Sequence, residues 1–155
     1  MTGINHGMTG AVIALSLKNP ALAMPLSLIS HFAQDTLPHW NYGVERQEGK
    51  VEFFSRRFTT SLLIDFLSAV ALMVVLALLF PAQKWLIWSC MVAAAAPDLM
   101  WAYYRLYIEH IQKKVPKLNG LARFHVKVQW SQTAKGFYVE ILWFLLMAGI
   151  ILLHR

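Results

Sequence analysis

The chain has 155 residues, of which 57% are hydrophobic and only 14% are charged, and its mean hydropathy is +0.48. A soluble domain of this size usually carries about a quarter of its residues as charges, so an ordinary soluble globule is excluded. The net charge of +6 flanks the apolar blocks, which the positive-inside rule explains and which argues against a nucleic-acid-binding domain.

The length allows one domain. The first ten residues, MTGINHGMTG, lack a basic n-region and no continuous h-region follows, so no cleavable signal peptide is expected. Residues 3 to 18 read as a short apolar helix, which Asn19-Pro20 breaks, with proline at a helix-start position. A second helix is expected over 21 to 37, ended by Leu37-Pro38. Helices of about 16 residues reach only about 24 Å, so residues 3–37 are expected to form a helical hairpin, re-entrant rather than made of two full crossings. The linker from Asn41 to Arg57 is polar and mixed in charge.

Three spans follow, at 59–80, 85–104 and 137–153. Each is close to the roughly 20 apolar residues that cross a hydrocarbon core of about 30 Å. The first holds Asp65 and is closed by Pro81. The second contains Pro97-Asp98 and has Trp85, Trp88, Trp101, Tyr103 and Tyr104 near its ends, as interfacial aromatics do. The third starts with Glu140 in its first turns and is the shortest. The lone Cys90 lies inside the second span, so there is no disulfide framework within the chain.

Between the second and third spans, residues 105–136 hold Arg105, Lys113, Lys114, Lys117, Arg123, Lys127 and Lys135 against the single acid Glu109, which marks this stretch as cytoplasmic. Tyr104, Ile108, Ile111 and Val115 recur at helical spacing up to Pro116, so the second span should continue as an amphipathic helix. Residues 121–130 fit either a strand or a helix, and an interfacial helix is expected. The fold class is therefore an all-α, multi-pass protein of the cytoplasmic (inner) membrane, forming one domain over 1–155 and open to oligomerisation.

Carboxylates in hydrocarbon are expensive and mark functional sites by default. Counted from the same face, Asp65 lies about 9 Å deep, Asp98 about 10 Å and Glu140 about 6 Å at the helical rise. Three acids in one layer call for a shared partner. His31, Asp35 and His39, in SHFAQDTLPHW, are spaced i, i+4, i+8 and would form one stripe on a helix, with Pro38 able to turn His39 inwards and His6 at the same level. Imidazoles and carboxylates are the ligand set of zinc, manganese or iron sites, so His6, His31, Asp35, His39 and Asp98 are candidate ligands of a divalent ion. His125 is a further candidate, with lipid contact as its alternative. Asp65 has an alternative partner in Arg56, Arg57 or the backbone, and Glu140 in Lys135; His110 and His154 read as surface residues.

NHGMTGAVIAL, SHFAQDTLPHW and AAAAPDLMW resemble the pattern of small prokaryotic membrane proteins grouped with the membrane-bound metal-dependent hydrolases, on His6, His31, Asp35, Pro38, His39 and Pro97-Asp98. FHVKVQWSQTAKGFYVEILWF, with His125, Gln129 and Glu140, is similar to the C-terminal part of relatives of that group. HFAQDTLPH also resembles a segment of zinc-dependent phospholipases C, although Pro and His are adjacent here and the interval is shorter. Met100 stands where the hydrolase pattern has a second acid. The resemblance implies a metal-dependent hydrolase acting on a lipid-borne ester or phosphoester, with membrane lipids as partners and Glu140 or Asp65 as general base. Two other roles fit the same residues: a metal- or proton-binding or transport protein, and a non-catalytic assembly factor whose polar layer fastens helices together.

Overall fold

The computed structural model describes residues 1–40, 56–115 and 117–155; the linker expected to be polar and Pro116 lie outside them. Among the described residues the regular structure is helical: α1 (Gly3–Leu17), α2 (Pro20–Asp35), α3 (Arg56–Leu79), α4 (Lys84–Ala102), α5 (Gly120–Val128) and α6 (Gly136–Leu153). A π-helical stretch, Tyr103–Ile111, extends α4, and a 3-10 turn, Gln129–Ser131, follows α5.

Asn19-Pro20 separates the first two helices as its chemistry requires. Lys18 takes a left-handed conformation at φ 52° and its N–H caps the Ala14 carbonyl. Asn19 then accepts from the Ala21 N–H at 3.0 Å, with Pro20 opening the helix. The second helix stops at Asp35, two residues before the expected end. There the carbonyls of Thr36 and Leu37 both accept from the Ser131 hydroxyl, at 3.1 and 2.7 Å, a partnership that local sequence does not announce.

Among the described residues, three helices are long and apolar enough to cross a membrane: Thr59–Leu79, Lys84–Ile108 and Gly136–Leu153, with mean hydropathies of 2.8, 1.3 and 2.2. They agree closely with the expected spans. Their outward faces are strongly apolar, with Leu63, Phe66 and Leu78 of α3 and Leu142, Leu145 and Leu153 of α6 exposed. That surface suits lipid and not water.

The first helix is the inner one. It packs against α2, α4, α6 and α3, and Met8, Ala11, Ala14 and Leu15 bury themselves among Leu76, Ile87, Cys90, Met91, Met147 and Ile151. At Gly10 the α1 and α4 backbones nearly touch, since an added Cβ would lie 2.4 Å from the Cys90 carbonyl oxygen. Only glycine permits this approach, and it holds the polar start of α1 beside α4.

Asp65 and Glu140 gather at that start. The Thr2 side chain makes no capping bond, and the first N–H groups of a helix need acceptors. Asp65 of α3 accepts from the Gly3 and Ile4 N–H groups at 2.7 and 2.9 Å. Glu140 of α6 accepts from the Thr2 N–H at 3.0 and 3.1 Å, and from the Thr2 hydroxyl, the Asn5 amide and the Trp40 N–H. Two of the three acids expected to share a partner thus meet the positive end of the α1 dipole, whereas Asp98 faces His31 and His125 instead.

Candidate metal centre

Four of the expected ligands converge. One ligand atom from each of His31, Asp35, Asp98 and His125 lies within 4.8 Å of the others. The site draws on α2, α4 and α5. His31 and Asp35 come from the last turns of α2, one above the other at i, i+4. Asp98 follows Pro97 inside α4. His125 is carried inwards by α5, whose buried side is Ala122 and His125 while Leu121, Phe124 and Lys127 face outwards.

The hydrogen bonds fix which nitrogen faces the centre. His31 Nδ1 lies 2.8 Å from the Ala94 carbonyl oxygen, which can only accept, so Nδ1 carries the proton and Nε2 a lone pair. That Nε2 is 3.3 Å from Asp35 Oδ2, 3.1 Å from His125 Nε2 and 3.7 Å from Asp98 Oδ1. His125 Nε2 is itself 3.0 Å from Asp35 Oδ2 and 3.5 Å from Asp98 Oδ1. Acceptor atoms are crowded around one point, an arrangement that a proton or a metal ion must relieve. The side chains of His31, Asp35 and His125 are fully buried, whereas that of Asp98 is 37% exposed, so Asp98 forms the open side of the cluster.

Two imidazoles and two carboxylates fit zinc, manganese or iron(II) as a donor set. Their unmatched lone pairs fit a cation, and one divalent ion would balance both acids. Gln129 supports the set: its amide Nε2 is 3.2 Å from Asp35 Oδ2 and 3.1 Å from His125 Nε2. Ala122, His125 and Gln129 recur at i, i+3, i+7, one face of a helix between the outward Arg123 and Lys127, and that spacing was the available signal for Gln129.

His6 and His39 stand next to the group rather than inside it. The His6 ring stacks on His31 at 4.0 Å and its Nε2 is 3.2 Å from Asp35 Oδ1. Burial, together with the charge of the amino terminus, lowers the His6 pKa to about 3, which leaves the ring neutral. His39 is not on the stripe, because α2 has already ended; it sits in the following bend, bridged to Gln132, with Nδ1 2.8 Å from the Leu37 carbonyl oxygen. Burial first, then the amino-terminal charge, lowers its pKa as well.

Asp65 and Glu140, the expected general bases, are committed to the first turn of α1 through both their oxygens. Glu140, which accepts at every lone pair, could act on a substrate only by giving up one of these bonds. His110 and His154 are exposed, as expected, with His154 Nε2 3.2 Å from the Ser16 hydroxyl. No family model, curated protein or solved structure matches the chain, so the chemistry of the centre rests on its own residues.

Proposed function

We propose that the chain is a metal-dependent hydrolase of the cytoplasmic membrane that acts on a lipid-borne ester or phosphoester. The observation that carries this reading is the convergence of His31, Asp35, Asp98 and His125 within 4.8 Å in a chain with three membrane-crossing helices. A bound divalent ion, with zinc favoured by the donor set, supplies a Lewis acid for a phosphoryl or carbonyl oxygen and acidifies water near neutral pH.

The protein's own residues do the rest. His31 is oriented by the Ala94 carbonyl, and Gln129 donates to Asp35, so two ligands are held in place before any substrate arrives. Asp98, on the exposed side, leaves a way in. Phe32 packs edge-on against the His31 and His125 rings and Trp101 lies against His125, which keeps bulk water from those sides. Exposed Arg123 and Lys127 on α5 attract an anionic headgroup. A cavity of about 300 Å³ between α1, α3 and α6, lined by Ile64, Phe137, Ile141 and Phe144 with Glu140 and Asp65 at its polar end, suits an apolar tail. The basic stretch 105–136 assigns this end of the bundle to the cytoplasmic face, and the sequence resemblance to membrane-bound metal-dependent hydrolases agrees with the reaction class.

The test uses purified, detergent-solubilised full-length chain. Elemental analysis should find bound zinc, manganese or iron, and the loaded protein should cleave members of a panel of phospholipids and lipid-linked phosphates. His125→Ala should lose both metal and turnover. A metal-free wild type after loading would overturn the reading, and a loaded protein inert towards the whole panel would replace it with a metal-binding or transport role.

A further inference from the structure

The carboxylate of Asp35 has two differently occupied sides. Oδ2 faces the four-residue centre, with His125, His31 and Gln129 at 3.0, 3.3 and 3.2 Å. Oδ1 faces away from it, towards His6 Nε2 at 3.2 Å and the amino group of Met1, which is in direct contact. Around Oδ1 the buried imidazoles lack partners. Both ring nitrogens of His6 are buried with no hydrogen bond, so the 3.2 Å approach to Asp35 is a close contact of poor hydrogen-bond geometry. His39 Nδ1 is tied to the Leu37 carbonyl, which leaves a lone pair on Nε2, and that atom too is buried without a partner. Buried nitrogens left unmatched are costly, and a cation on Oδ1 would give His6 Nε2, and His39 Nε2 where that ring turns to it, a partner.

The amino group of Met1 shows what kind of occupant Oδ1 draws: a cation. The Thr2 and Trp40 N–H groups share Glu140 Oε1, at 3.0 and 3.3 Å, which brings His39 to the same end of α1 as Met1 and His6. We propose that Asp35 bridges two divalent metal ions, one held on Oδ2 by His31, Asp98 and His125, and a second held on Oδ1 by His6 and His39 through their free ring nitrogens. The second site rests on the reading that the first group holds a metal. Loading it exchanges a monocation for a dication on Oδ1. A single carboxylate spans paired ions at about 3.5–4 Å, the separation of two-metal hydrolytic sites, where the pair clamps the attacking and leaving oxygens of a phosphoester.

Metal stoichiometry of the full chain in detergent, loaded with manganese and freed of excess, tests the proposal. Wild type should hold about two ions per chain, as a two-metal site requires, and its electron paramagnetic resonance spectrum should show an exchange-coupled pair. His6→Asn and His39→Gln should each fall to one ion with an uncoupled signal. One uncoupled ion in wild type would overturn the second site and leave the first standing. No ion at all would overturn both. Wild-type stoichiometry and coupling decide the matter even where a variant fails to fold. Two ions retained in both variants would show that the second ion lies elsewhere and would end this placement.

Discussion

Replacing Glu140 separates its structural hold on α1 from any chemical duty. Its oxygens receive the Thr2 N–H at 3.0 and 3.1 Å, the Thr2 hydroxyl and the Asn5 amide at 2.5 Å, and the Trp40 N–H at 3.3 Å. In Glu140→Ala the Asn5 amide keeps the residue 140 carbonyl at 3.0 Å, but both Thr2 donors are orphaned. At about 1–3 kcal/mol for each buried orphan, the loss is about 4 kcal/mol. For a chain of this length that lowers Tm by about 8–16 °C. Glu140→Gln keeps one acceptor oxygen, and the Asn5 Oδ1, buried and unbonded in the native protein, can receive the new amide hydrogen after a flip. Its cost should be about 1–2 kcal/mol. Thermal unfolding in detergent, run on both variants alongside metal content, gives the readout, and both variants should still bind metal at the four-residue centre. An Ala variant melting with wild type would refute the capping account. A Gln variant of near-native Tm and full metal content whose turnover collapses would assign Glu140 a base's role in addition.

Other consequences are open to direct measurement. Asp98→Asn removes one of the two charges that a divalent ion balances, so metal affinity should fall at least about tenfold while Tm of the metal-free protein changes little; equilibrium dialysis reads the affinity. Gly136→Ala places a Cβ 2.1 Å from the His39 carbonyl carbon, so the backbone must shift at the His39–Gln132 bridge, and the yield of folded protein should drop sharply while the exposed Gly149→Ala has no such effect. With the basic stretch cytoplasmic and three crossings, a reporter fused after Arg155 should be active only outside the cytoplasm; activity restricted to the cytoplasm would reverse the orientation.

Much of this architecture was legible because it is written in local pattern. Long apolar runs announce the spans, and Asn19-Pro20 announces the break between α1 and α2. The convergence of His31 and Asp35 with Asp98 was legible too, since helical spacing and common depth pointed to it. His39 reads as a third step on the α2 stripe that Pro38 could turn inwards, and the helix ends before it because Pro38 has no N–H to continue the ladder and disfavours a helical Leu37. His125 was the ambiguous candidate: its segment is basic and amphipathic, and only packing shows that its buried side faces Asp35. The commitment of Asp65 and Glu140 to α1 could not be read locally at all, because their partners lie 62 and 138 residues away.

That distance has a consequence for how the protein is made. The start of α1 leaves the ribosome before the other helices described, and the carboxylate that receives the Thr2 N–H is synthesised 138 residues later. At 5–20 residues per second, translation separates the two by on the order of ten seconds. Until Asp65 and then Glu140 are made, the opening N–H groups lack these acceptors, so they wait in water or at the headgroups while the spans insert around the place they will fill. The inner helix is therefore fully capped only after α6 has been made, whereas all four residues of the histidine and aspartate centre have been made once α5 is complete.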